Sequence, residues 1–159
     1  MNADMVAEAK PANLPYLNAL EHMLIEGALP GEIVEFSEAD RREAARFVAG
    51  CAERRPPGIA LVRLESVGGQ VGQRRMRICI VNDDMPFLVD SVAMAITARG
   101  LIIHRLLHPV VCVEREDNDC LRMVEPLCDY PSRRESMIAS VSGSNAASAA
   151  RCAGAGAER

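Results

Sequence analysis

"VNDDMPFLVDS", residues 81–91, decides how this chain is read. Before it runs "RRMRICIVN" (74–82), whose isoleucines and valine mark a strand. After it, Leu88, Val92, Ala95 and Ile96 recur at helical spacing on one side. The stretch therefore joins a strand to a helix. It carries Asp83, Asp84 and Asp90, and paired carboxylates can bind magnesium or divide acid and base roles. Its position favours a simpler role. Pro86 fits a first helical turn, where its missing N–H costs nothing, and a carboxylate just before that turn caps free N–H groups and interacts favourably with the helix dipole. The spacing predicts a helix over residues 85–99, started by Asp83 and Asp84, with Arg99 in its last turn and Gly100 as its stop.

Outward from this junction the period changes twice. "IALVRLES" (59–66) pairs with 74–82 as a hairpin around the glycine-bearing "VGGQVGQ" (67–73). Before Pro56-Pro57-Gly58 lie two helical patterns. In "PYLNALEHMLIEG" (15–27), Leu17, Leu20, Met23 and Leu24 share a face and Gly27 can end the helix. The second, from Ser37, has that serine as N-cap and Ala44, Phe47, Val48 and Cys51 on one face. Beyond Gly100, residues 101–116 return to strand character, 117–119 turn the chain, and 120–126 form a partner strand. From Ala139 on, 15 of the last 21 residues are Ala, Ser or Gly, too little apolar bulk to offset the entropy of ordering. The expected organisation is a loose start (1–13), a helical segment (14–57), a sheet-bearing domain (58–138) and a disordered low-complexity tail (139–159).

A chain of 159 residues is one domain's worth. The net charge of -4 gives no electrostatic reason for a nucleic-acid or anionic-membrane partner. Neither a membrane-length apolar run nor a basic start followed by an apolar core is present, so the expectation is a cytoplasmic protein. The cysteines, at 51, 79, 112, 120, 128 and 152, lack zinc-site spacing and are expected as free thiols. The basic residues comprise seventeen arginines and one lysine, Lys10.

The common catalytic signatures are missing. "GGQVG" (68–72) has the wrong spacing for a dinucleotide cradle and opens no helix, and there is no Walker loop, nucleophile elbow or H-E-x-x-H. His104 and His108 would share a metal on a helix. On a strand, four residues span about 13 Å, so no metal is expected; half-buried or interface positions are, with a ring able to donate to a ligand or partner chain.

The run "RICIVNDDMPFLVDSVAMAITARGLIIHRLLHPVVCVERE" resembles the N-terminal region of the large, multidomain NAD-specific glutamate dehydrogenases of bacteria, densely from about Ile59 to Ile138. Asp83 to Ser91 carry most of the specificity. The resemblance implies an α+β fold: N-terminal helices, then an incomplete ACT-like (ferredoxin-like βαββαβ) antiparallel sheet with the helix 85–99 packed on one face. It singles out Asp83, Asp84, Pro86, Phe87, Asp90, Ser91, His104 and His108 as motif, ligand or interface residues. Phe87 stands where the general ACT pattern has a glycine, which disfavours a ligand at that corner.

The parent reaction implied is oxidative deamination of L-glutamate to 2-oxoglutarate with NAD. Relatives need an active-site lysine and a Rossmann domain; Lys10 is the sole lysine here and the fingerprint is lacking. The resemblance thus implies no catalytic residue, no cofactor and no metal in this chain, with NAD belonging to the parent enzyme. Partners would be the rest of the dehydrogenase or like chains paired through sheet edges, with an amino-acid effector. The chain reads as an amino-terminal fragment, and the change at 139 also fits a reading frame lost near Ile138. Two other readings stand beside this one: a free-standing, dimerising small-molecule sensor, and a small enzyme or metal protein built on the acids and histidines.

Overall fold

The computed structural model describes residues 15–68, 74–126 and 133–144. Helix α1 (Leu17–Glu26) buries Leu20, Met23 and Leu24. A short turn of helix, α2 (Pro30–Ile33), was not apparent in the sequence pattern. Helix α3 (Glu38–Ala52) starts as expected: Ser37 Oγ accepts the Asp40 N–H at 3.1 Å, satisfying one of the helix's free donors. Ala45, Phe47, Val48 and Cys51 form its buried face.

The sheet combines β1 (Leu61–Val67), β2 (Arg75–Asp83), β3 (Leu101–Leu107), β4 (Val110–Arg115), β5 (Leu121–Glu125) and β6 (Arg133–Ser144), with every pairing antiparallel. Strand β6 is central. One of its edges pairs with β2, matching Val81 to Met137 and Cys79 to Ala139. The other pairs with β3 and then β4. The expected single strand 101–116 is divided at His108-Pro109, although the Met137 N–H still donates to the Pro109 carbonyl at 3.0 Å. Strands β1 and β5 form the outer edges.

Because β2 and β3 are both antiparallel to β6, they run parallel to one another with β6 between them. A helix, α4 (Leu88–Thr97), connects them. This is a split β-α-β unit, the crossover at the heart of ferredoxin-like folds. The α+β expectation therefore holds: N-terminal helices pack on an antiparallel sheet.

Two sequence expectations need correction. The tail expected over 139–159 is contradicted at residues 139–144, which complete β6; residues 145–159 lie outside the described residues. Ala and Ser there lack bulk, but a strand flanked on both edges can bury small side chains: Ala139, Ser140 and Ser142 are all buried, and the two serine hydroxyls lie 3.1 Å apart. The helix expected over 85–99 starts at Leu88, with Phe87 as N-cap at φ 62°, so Pro86 precedes the helix instead of opening it.

Side chains alternate across the sheet. Cys79, Val81, Met137 and Ala139 face α1 and α3 and join Leu20, Leu24, Phe47 and Val48 in one core cluster. Ile78 and Ile138 point the other way and are buried outside that cluster, as is Ile96 of α4.

Candidate functional site

Asp83 ends β2 and Asp84 follows it, and neither caps the helix. Asp83 Oδ1 accepts from Arg55 at 3.0 Å and from Arg133 at 2.7 Å. Asp84 pairs with Arg134 at 3.1 Å and accepts from the Ser136 hydroxyl at 3.2 Å. The capping expectation is thus overturned: arginines on β6 and after α3 compete successfully for the carboxylates, while the helix start is left to a left-handed Phe87. Arg55 and then Arg133 hold the Asp83 carboxyl below the usual carboxylate range.

Behind Asp83 lies a network centred on two fully buried side chains, Arg55 and Glu135. Arg55 donates to Glu135 at 2.8 Å, to the Ile59 carbonyl at 2.6 Å and to Asn82 at 3.3 Å. Arg115 grips both oxygens of Glu135, at 3.0 and 2.8 Å, and reaches the carbonyls of Ala52 and Asp119. Burial works against the charge on Arg55; its bonds to Asp83 and Glu135 outweigh that and raise its pKa. The network ties the end of α3 to β2, β4 and β6. Its acids are committed to guanidinium groups, so none is placed as a free general base. Sequence reasoning missed Arg55, Arg115 and Glu135, whose pairs span up to 80 residues. Their only local signal is charge beside a proline pair and within "RRES".

The remaining motif residues lie apart. Phe87 is 78% exposed, and Pro86, Asp90 and Ser91 are exposed around the first turn of α4. The register slips between Ile103 and Arg105, which makes His104 the extra residue of a β-bulge. It lines a cleft of about 360 Å³ between α2, the start of α3 and the sheet, together with Arg75, Arg105, Glu32 and Phe36. Much of that cleft is already engaged. Arg105 stacks 4.0 Å from the Phe36 ring and donates to the Glu32 carbonyl, while the Glu32 carboxylate accepts from the Leu29 and Leu106 N–H groups.

His108 lies after the bulge, near Asp84. Burial lowers its pKa, partly opposed by that carboxylate, and its Nε2 is buried without a hydrogen-bond partner among the described residues. The histidines are not brought together, and no group of three or more metal-ligating side chains occurs among the described residues. Cysteines 51, 79 and 120 are free, as expected; Cys112 is disulfide-bonded, which corrects the expectation there. The spacing argument excluded a zinc site and could not detect a pairing made by the fold. No helix among the described residues is long and apolar enough to cross a membrane.

A split β-α-β crossover in an antiparallel sheet with helices packed against it places the chain among α+β domains of ferredoxin-like type. Residues 22–150 match the family of the glutamate dehydrogenase ACT1 domain, and the chain belongs to that family. The NAD-specific glutamate dehydrogenase of Halomonas elongata is 42% identical over 64 residues, which cover 39% of this chain and 4% of that protein. No solved structure matches.

Proposed function

We propose that the chain serves as a non-catalytic, N-terminal regulatory or assembly module of an NAD-dependent glutamate dehydrogenase. The family match over residues 22–150 carries this reading. It is supported by a relative named for that activity of which the chain spans only 4%, and by the commitment of Asp83, Asp84 and Glu135 to arginine pairs. The partners in this reading are the rest of a dehydrogenase chain, or like chains meeting at the open edges β1 and β5, in the cytoplasm. NAD is bound elsewhere in the parent enzyme, and an amino acid is the effector.

The test is deletion of the corresponding segment from the Halomonas enzyme. Glutamate turnover should persist while the oligomeric state, or the response to amino acids, changes. Turnover abolished in an enzyme that still assembles normally would overturn the proposal.

The cleft beside His104, with Arg75 free of ion pairs among the described residues, favours one second reading: a self-sufficient sensor of a small molecule. That reading expects a dimer whose melting temperature rises with one of the twenty amino acids. A flat response across all twenty rejects it.

A further inference from the structure

The cleft between α2, the start of α3 and the sheet combines a strained rim with uncommitted bases. At the rim, Glu35 holds φ 67°, a left-handed conformation unfavourable for a residue with a side chain. On the sheet, the β-bulge sets His104 over Gly143, and the missing side chain gives room to two groups. A Cβ there would stand 3.1 Å from His104 Nε2 and 3.5 Å from Arg75 Cγ. Arg75, the cross-strand partner of Gly143, has no ion pair or hydrogen bond from its side chain among the described residues. Arg105 is held from two sides: its guanidinium stacks 4.0 Å from the Phe36 ring and its Nε donates to the Glu32 carbonyl. Its terminal nitrogens keep no acceptor among the described residues. The other charges lining the cleft are engaged. Both oxygens of Glu32 accept backbone N–H groups, Asp40 accepts the Ser37 hydroxyl, and Arg77 pairs with Glu43 and Glu65.

We propose that this cleft binds a small monocarboxylate, its carboxylate taken by Arg75 and Arg105 with His104 donating beside them. A guanidinium presents its N–H groups as a fork that matches a planar carboxylate. Arg105 is oriented before the ligand arrives, so less of its freedom is lost on binding. The charge balance then limits the ligand. Two free guanidinium groups face one free carboxylate, Glu35, which leaves an excess of a single positive charge with the imidazole neutral. Glu32 and Asp40 remain charged at the same rim and repel a phosphate or a dicarboxylate. A cleft of about 360 Å³ stands at the small end of ligand pockets, which suits a compact acid. The inference rests on the same cleft as the sensor reading, and it holds equally for a module within a dehydrogenase.

The chain has three histidines, at 22, 104 and 108, so imidazole signals in proton NMR read the cleft directly, with His104→Gln assigning the one that matters. Lactate added to the full chain at constant ionic strength should move the His104 signal saturably, with a Kd of roughly 1–10 mM. The signal of His22, which does not line the cleft, should stay in place. Arg75→Gln, at an exposed position, should weaken binding about tenfold, the loss of one charge-assisted pair, whereas Arg99→Gln, beyond α4, should leave it unchanged. A His104 signal unmoved by lactate up to about 50 mM would overturn the proposal. Phosphate binding as tightly as lactate would overturn it too, and so would an unchanged affinity in Arg75→Gln. Lactate binding to a monomer would reject the sensor reading alone, since that reading needs a dimer. A dimer stabilised by one amino acid but blind to lactate would overturn this inference alone.

Discussion

The two faces of the sheet are finished in different ways. Towards α1 and α3 the surface closes: Leu20, Leu24, Val48, Val81 and Met137 are buried together, and at one end the arginine–carboxylate network seals the layer. Towards α4 closure is partial. Ile78, Ile138 and Ile96 are buried, but Val62 and Leu64 on the outer strand β1 remain 62% and 55% exposed, and Met94 on α4 is exposed as well. In a domain that stood wholly alone, both faces would be expected to close. An apolar margin left open beside an unpaired strand edge is the side from which association is expected.

The sharpest way to break the contrast is on the closed face. Glu135→Ala would leave Arg55 and Arg115 buried without their shared carboxylate, and the expected loss is about 3–5 kcal/mol in urea unfolding. A loss below about 1 kcal/mol would mean that the network is not holding the layers. Leu20→Ala, at a fully buried position in the same layer, should cost about 3 kcal/mol with an unchanged urea slope.

The strand–helix corner should respond in the opposite direction. Phe87 is exposed in a left-handed conformation that glycine tolerates freely, so Phe87→Gly should stabilise by roughly 0.5 kcal/mol after allowing for glycine's greater freedom when unfolded. The smallest effect is expected at the open margin: Leu64→Gln should change stability by less than about 0.5 kcal/mol while reducing self-association in sedimentation. A large stability loss there would show that the margin is packed in the monomer.

The same contrast explains what could be read from the sequence. The hairpin of β1 and β2, the Ser37 cap and the helix between β2 and β3 are local patterns, and the alternation or period of a few residues announces each. Strand β6 is not local in that sense. Its second half, "ASVSGS" (139–144), resembles a loose tail by composition, and it is ordered because β2 and β3, distant in sequence, flank it on both edges. The corner failed in an instructive way. The junction does lie between a strand and a helix, but the capping role expected of its acids does not hold, because arginines take both carboxylates. Capping is a local option that sequence can propose. Arg55 and Arg133 lie 28 and 50 residues from Asp83, and only the fold brings them to its carboxylate.

That Asp83 is a structural clamp, not an acid or base awaiting a substrate, is tested most directly by a double-mutant cycle on Asp83→Asn and Arg133→Gln. Asp83 is half exposed, so solvent screening limits the expected coupling to about 1 kcal/mol at pH 7. Its carboxyl titrates below its unfolded value of about 3.9, so this stabilisation is present above that pH and is lost as pH falls through the depressed folded value. Coupling of about 1 kcal/mol at pH 7 that vanishes in strong acid is the predicted result. Additive mutations at pH 7, with no coupling, would contradict the account.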